Sequence, residues 1–163
     1  MRRYTSFFVL VALALFTLGC NQREVTGDER TAKEFIEGQG YRVNSFLGLL
    51  DKYKLSKSML YGPDTAPYQQ IWSVQETEPE RYFGEEISVY GFVVTNHPLQ
   101  KQYNAQTRLY IMLADEKVIG GYSYPDMEGL VGGVYSLDGK TLEEVTGETY
   151  TEWTVEWSRK YGD

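Results

Sequence analysis

The chain has 163 residues, a formal net charge of −7 and a single cysteine, and 15% of its residues are aromatic. This length suits one domain with a sizeable core. The acidic balance argues against binding to nucleic acid or to anionic lipid headgroups, since both attract basic surfaces, and one cysteine cannot form an internal disulfide.

The first twenty residues have the pattern of an export signal that ends in a lipid attachment site. Arg2 and Arg3 precede an apolar run over residues 7–18, which is shorter than the roughly 20 residues that a membrane-spanning helix needs. Gly19 and Cys20 follow, and the chain then becomes polar. Here the sequence resembles a bacterial lipoprotein signal peptide. The resemblance implies cleavage between Gly19 and Cys20, with a diacylglyceryl group on the Cys20 thiol.

The lipoprotein interpretation has two alternatives, an ordinary signal peptide and a short membrane anchor. Lipoprotein signals usually carry leucine and a small residue where this chain has Thr17 and Leu18. Two acyl chains anchor a protein stably, whereas one chain binds only marginally. Removal of residues 1–19 would leave 144 residues, and loss of two arginines would change the formal charge from −7 to −9. We therefore expect a signal peptide at 1–19, a lipidated tether at 20–26 and one globular domain at 27–163. The domain is expected on the extracytoplasmic face of the cell membrane.

The domain is predicted to begin with a helix over residues 27–38. Thr26 and Glu29 have the spacing of a capping box, and Gly38 and Gly40 mark the end of the helix. Its apolar stripe is formed by Ala32, Phe35 and Ile36.

The next segment, residues 41–55, is ambiguous, because its apolar residues also fit one helical face. We predict two strands joined by a turn at Gly48. A short helix capped by Ser56 is expected over residues 57–60.

The middle of the chain predicts the sheet. Residues 87–95 form the clearest strand, and apolar side chains on both of its faces place it centrally. Residues 108–114 and 118–124 form a second and third strand around a tight connection at 115–117. The pair Gly120-Gly121 suggests a bulge or a close backbone approach. A short strand over 134–137 ends at the Asp138-Gly139 turn.

The C-terminal part predicts a helix that packs on this sheet. Residues 141–144 fit either a strand or a short capped helix. Thr149 and Glu152 have capping-box spacing, and Trp153 and Trp157 recur at helical spacing within a predicted helix at 150–161. The expected fold class is α+β, a single domain with a mainly antiparallel β-sheet and N-terminal and C-terminal helices packed on it.

The sequence offers few groups for catalysis. His97 is the only histidine, and its place at a strand end before a proline favours a turn residue that bonds its own backbone neighbourhood. The pairs Glu85-Glu86 and Glu143-Glu144 would point to opposite faces if they lay on strands. We expect a non-catalytic binding or interaction module without a cofactor or a metal. The alternative is a cell-envelope hydrolase that uses His97 or a carboxylate pair.

The expected binding surface combines a turn at residues 96–102 with a loop at 125–133, and its candidate residues are Asn96, His97, Tyr124 and Asp126. An exposed edge strand that binds a partner protein is a further hypothesis. The expected partners are the membrane, through lipid on Cys20, and an envelope protein or cell-wall component, but not nucleic acid.

Several short segments resemble one family, the small uncharacterised lipoproteins of Gram-positive bacteria. The resemblance implies a surface lipoprotein with an α+β domain and supplies no active site. The segments are Trp-Ser-Val-Gln at 72–75, Pro-Glu-Arg-Tyr-Phe-Gly at 79–84, Val-Thr-Asn-His-Pro-Leu at 94–99, Ile-Gly-Gly at 119–121, Tyr-Ser-Leu-Asp-Gly-Lys at 135–140 and Gly-Tyr-Arg-Val at 40–43.

Overall fold

A computed structural model describes residues 27–129 and 133–162. It confirms the α+β class, with one antiparallel sheet of five strands in the order β1-β2-β3-β4-β5. Each strand pairs with the next one along the chain. The strands are β1 Arg42–Lys54, β2 Glu86–Thr95, β3 Thr107–Ala114, β4 Lys117–Pro125 and β5 Tyr135–Ser136.

Five α-helices and two short 3-10 helices surround this sheet in the described part of the chain. The α-helices are α1 Asp28–Gly38, α2 Ala66–Trp72, α3 Pro98–Tyr103, α4 Leu142–Thr146 and α5 Tyr150–Tyr161. The 3-10 helices span Lys57–Met59 and Pro79–Tyr82. No helix among the described residues has the length and apolar character needed to cross a membrane.

Apolar side chains cover both faces of the sheet, because alternate residues of a strand point to opposite sides. On one face, α1 packs through Ala32 and Ile36 against the core residues of β2 and β3. On the other face, α5 packs through Trp153, Trp157 and Tyr161, together with Trp72 at the end of α2. The predicted N-terminal and C-terminal helices therefore lie on opposite sides of one sheet.

The predicted strand pair around Gly48 is wrong. Residues 42–54 form one strand, which pairs with β2 along its length with register shifts at 43/45, 46/48 and 49/51. Gly48 has a φ of 103°, which suits a glycine in a turn and equally in a bulge. The inserted residues change the alternation of apolar side chains, and a bulged strand therefore has the sequence pattern of two strands.

The helix termini agree with the prediction in part. Thr149 and Glu152 form the capping box of α5, as predicted, and Thr141 and Glu144 form another that settles residues 142–146 as a helix. The predicted N-cap of α1, Thr26, lies outside the described residues, and Gly27 occupies the N-cap position. Ser56 does not cap the following 3-10 helix with its side chain. Its hydroxyl instead lies 2.9 Å from that of Ser58.

Candidate functional site

His97 is a buried structural residue that joins two loops. Its side chain is 2% exposed. The Leu99 backbone N–H donates to its Nδ1 at 3.2 Å, so the ring proton lies on Nε2, which is 2.9 Å from the Leu137 carbonyl oxygen. Tyr41 packs on the ring at a centroid distance of 4.8 Å. With both nitrogens bound to backbone, the imidazole holds no free position for proton transfer to a substrate.

This environment makes a testable prediction for the pH dependence of stability. Burial lowers the pKa of His97, although the bond to Leu137 and the charge of Asp138 act in the opposite direction. The unfolded chain then binds the proton more readily than the folded one, so the free energy of unfolding falls as the pH drops below about 6.5. One proton gives at most ~1.4 kcal/mol per pH unit. Urea unfolding between pH 5 and 8 would measure this slope.

The matched variant is His97→Asn, because asparagine also accepts from the backbone at an N-cap but does not titrate. We expect it to be less stable by about 1–3 kcal/mol at every pH, since it loses the bond to Leu137. Just below pH 6.5, its free energy of unfolding should also depend less on pH than that of the parent protein. Equal slopes for the two proteins in this interval would contradict the assignment.

The structure separates the four residues predicted to form a binding surface. Asn96 is exposed and its backbone N–H donates to Gln100 Oε1 at 2.8 Å. The Asp126 backbone N–H donates to the Gln106 carbonyl at 2.7 Å, and Gln106 lies outside the predicted turn at residues 96–102. Tyr124 packs with the α5-side core, whereas His97 packs on Tyr41 beside the α1-side core.

The predicted carboxylate pairs have other partners or a helical position. Glu86 forms an ion pair with Lys52 at 2.6 Å. Glu143 and Glu144 lie in the first turn of α4, where Glu144 Oε2 accepts from the Thr141 backbone N–H. Both pairs lie on the exposed surface.

An acidic cleft of about 650 Å³ lies between residues 72–79 and helices α4 and α5. Lys160 occupies its rim, where Nζ lies 2.6 Å from Glu78 Oε2 and 2.7 Å from Glu80 Oε1. Arg159 bonds Glu156 in the same region. These internal ion pairs neutralise much of the cleft, which is therefore a weaker candidate for ligand binding than the edge of β4.

The edge of β4 is completed by a side chain. β5 pairs only with Tyr122 and Ser123 of β4, because the turn at Asp138-Gly139 then carries the chain away. At the next position, the Gly121 backbone N–H donates to Gln75 Oε1 at 2.9 Å and Gln75 Nε2 donates to the Gly121 carbonyl at 3.1 Å. The Gln75 amide thus makes the two hydrogen bonds that one residue of an antiparallel neighbouring strand would make.

A groove of about 420 Å³ continues from this point along β4. Its walls are residues 118–121 of β4, the segment 74–77 and the loop that follows β5. Gly120 admits Gln75 to the strand, since a Cβ there would lie 2.2 Å from Gln75 Oε1. The prediction of a bulge or a close approach at Gly120-Gly121 is therefore confirmed in both forms, because the β3–β4 register also shifts at Ile119. Sequence analysis missed Gln75 itself, whose partner lies 46 residues further along the chain.

Carboxylates predominate around the groove, which is lined by Glu76, Asp138 and Glu144 together with Lys140. Burial raises the pKa of the Asp138 carboxyl, but hydrogen bonds from Lys140 and Ser136 outweigh this and hold it below its usual value. Asp138 is therefore ionised at neutral pH. The groove combines apolar walls from Val74, Val118 and Ile119 with an acidic rim.

Two further sets of findings complete the site. Among residues 27–129 and 133–162, no three His, Cys, Asp or Glu side chains form a group that could hold a metal ion. Gly19 and Cys20, the predicted cleavage and lipidation residues, lie outside the described residues. Searches of family models, of curated proteins and of solved structures find no match to this chain.

Proposed function

We propose that this protein is a lipid-anchored, extracytoplasmic interaction module that binds an extended polypeptide along the edge of β4. The observation that carries the proposal is the Gln75 amide on Gly121. At this strand edge the backbone N–H and carbonyl of Gly121 are bonded by a single side chain. A partner strand can take the place of that side chain. Anchoring rests on Cys20 and on the apolar run before it, and the family resemblance supports the same location.

Strand addition accounts for the composition of the groove. Main-chain hydrogen bonds supply affinity in this binding mode, and pockets for alternate side chains supply selectivity. Ile119 and Val118 offer apolar contacts, while Glu76 and Glu144 favour a partner with basic side chains. Gly120 leaves room for the Gln75 side chain against β4, so a partner strand that displaces this side chain would gain the Gly121 N–H and carbonyl.

His97 gives the hydrolase hypothesis no support, because both of its ring nitrogens are bound to backbone. The described carboxylate pairs lack the convergence that acid–base catalysis requires. The binding hypothesis instead uses features that the hydrolase hypothesis leaves unexplained, namely the short β5, the glycine pair and the Gln75 amide.

Gln75→Ala is expected to open the edge. The variant loses the two bonds to Gly121 and a third to the Ile71 carbonyl, so the free energy of unfolding should fall by about 1–3 kcal/mol. A peptide selected from a phage-displayed library of twelve-residue peptides should nevertheless bind the variant about tenfold more tightly, because it no longer competes with the Gln75 amide. Isothermal titration of both proteins would measure the difference.

The matched control is Gln70→Ala, which removes an exposed glutamine from α2 and should leave the peptide affinity unchanged. Failure of the library to yield a binder above an unrelated acidic protein would overturn the proposal. An equal affinity of the Gln75→Ala and Gln70→Ala proteins would also contradict it, because the peptide would then bind elsewhere.

A further inference from the structure

Three exposed leucines lie on β1, at the sheet edge opposite β4, and project from both faces of the sheet. Leu47, Leu49 and Leu50 are 41%, 49% and 48% exposed. The register shifts at 46/48 and 49/51 insert Leu47 and Leu50 into the strand as extra residues. Both lie over Gly91 of β2, where a Cβ would approach Leu50 Cδ1 to 2.4 Å and Leu47 Cβ to 3.2 Å. Leu49 pairs with Tyr90 and therefore projects from the opposite face, the α1 side, so the leucines flank the edge of the sheet from both sides.

The tether enters the domain beside Leu49. α1 begins at Asp28, whose carboxylate oxygen accepts from the Tyr90 hydroxyl at 3.4 Å. Since Tyr90 is the cross-strand partner of Leu49, the start of the domain lies next to Leu49, on the α1 side of the β1 edge. Seven residue steps separate Cys20 from Gly27, so the two are at most about 25 Å apart even when the chain is fully extended. A lipid on Cys20 would thus hold the β1 edge close to the bilayer.

We infer that the β1 edge, with Leu47 and Leu50 on one face and Leu49 on the other, rests edge-on in the interface of the bilayer that anchors Cys20. This inference depends on the proposed lipid anchor. The contact is apolar rather than electrostatic, because the chain is acidic and carries no basic cluster to attract anionic headgroups. The bulges that turn the leucines outward also interrupt the β1 edge, which discourages pairing with another strand.

This orientation has a consequence for the proposed partner site. β1 and β4 are separated by β2 and β3 in the sheet. When β1 faces the membrane, the groove at Gly120 and Gly121 faces away from it. The β1 edge of the sheet would then contact the membrane, while the β4 edge would remain free to bind the partner.

The test places single tryptophans on the acylated full chain in phosphatidylcholine vesicles that contain brominated acyl chains. Leu49→Trp is the probe, and Leu47→Trp is a second one in case the first disturbs the fold. Val155→Trp is the matched control, because Val155 is 62% exposed on α5. The unsubstituted protein gives the background from Trp72, Trp153 and Trp157, which are at most 9% exposed.

We expect bromine to quench the probes at positions 47 and 49, consistent with an apolar contact about 5–10 Å deep in the interface, and to leave the probe at position 155 unchanged. Quenching at positions 47 and 49 no greater than at position 155, on a protein that remains bound to the vesicles, would overturn the inference but leave the anchor intact. If the fluorescence of these tryptophans shifts to the blue without quenching by bromine, and the protein sediments as a dimer, the leucines contact a second copy of the chain instead. Mass spectrometry without acyl chains on Cys20 would refute the anchor and, with it, this inference.

Discussion

Replacing Cys20 by alanine is expected to abolish lipidation and to release the protein from the membrane fraction of bacterial cells. The thiol is the atom that the lipid would occupy, and the chain has no second cysteine to substitute for it. Two acyl chains supply nearly all the membrane affinity of such a protein. Cell fractionation and mass spectrometry of the mature N-terminus would measure both effects.

The matched control for this substitution is Asn21→Ala, which alters the residue after the lipidated cysteine and should keep the lipid. Retention of the Cys20→Ala protein in the membrane with residues 1–19 still attached would contradict the lipoprotein interpretation. That outcome would favour the short membrane anchor, because residues 7–18 would then hold the chain without any lipid.

Trp157→Ala is expected to destabilise the domain more than any surface substitution. The indole is 8% exposed, its Nε1 donates to the Leu60 carbonyl at 2.6 Å, and its ring packs on Trp153 and Tyr161 at centroid distances of 4.7 and 4.4 Å. Truncation of a buried tryptophan costs about 3–5 kcal/mol, and the Leu60 carbonyl would lose its donor. Urea unfolding followed by circular dichroism would measure the loss.

Two variants separate the causes of that loss. Trp157→Phe keeps an aromatic ring but not the N–H group. It should lower the free energy of unfolding by less than Trp157→Ala does, yet still measurably, because the bond to Leu60 is lost. Val155→Ala changes an exposed position of the same helix and should stay within about 0.5 kcal/mol of the parent. If Trp157→Ala lowered the free energy of unfolding as little as Val155→Ala, the packing of α5 on the sheet would not stabilise the domain.

The sequence was most informative where the backbone is regular. Residues 87–95, 108–114 and 118–124 have the periodicity of strands, and β2, β3 and β4 lie there in the structure. Helix α5 has the predicted residues 150–161, because a capping box and an aromatic stripe indicate the same helix. Local propensity and packing agree in these segments, and their assignment therefore needs no knowledge of distant contacts.

The prediction failed where tertiary structure determines the backbone. β1 remains one strand because β2 pairs with it across three bulges, and no local pattern distinguishes a bulge at Gly48 from a turn. Helix α3, Pro98–Tyr103, was missed because its exposed sequence Gln-Lys-Gln shows no apolar stripe. Its N-cap is the His97 side chain, which the sequence analysis considered only as a turn residue or a catalytic residue.

The candidate site was predictable in one half only. Gly120-Gly121 indicated a close approach to the backbone, and such an approach is present. The approaching group, Gln75, was not predictable, because a glutamine side chain gives no sequence signal for a partner 46 residues away. The length of β5 depends on the turn at Asp138-Gly139, which was predicted from the sequence. It depends also on the path of the chain after that turn, which was not predicted.

An N-methyl scan of a library-selected peptide would test strand addition at the β4 edge most directly. Each backbone N–H of the peptide is replaced in turn by N–CH₃, and the affinity for the full chain is measured. In an added strand only alternate N–H groups face the edge, so every second substitution should weaken binding by about tenfold or more, and those between should have little effect. Tolerance at all positions, or losses without this alternation, would contradict the proposed binding mode.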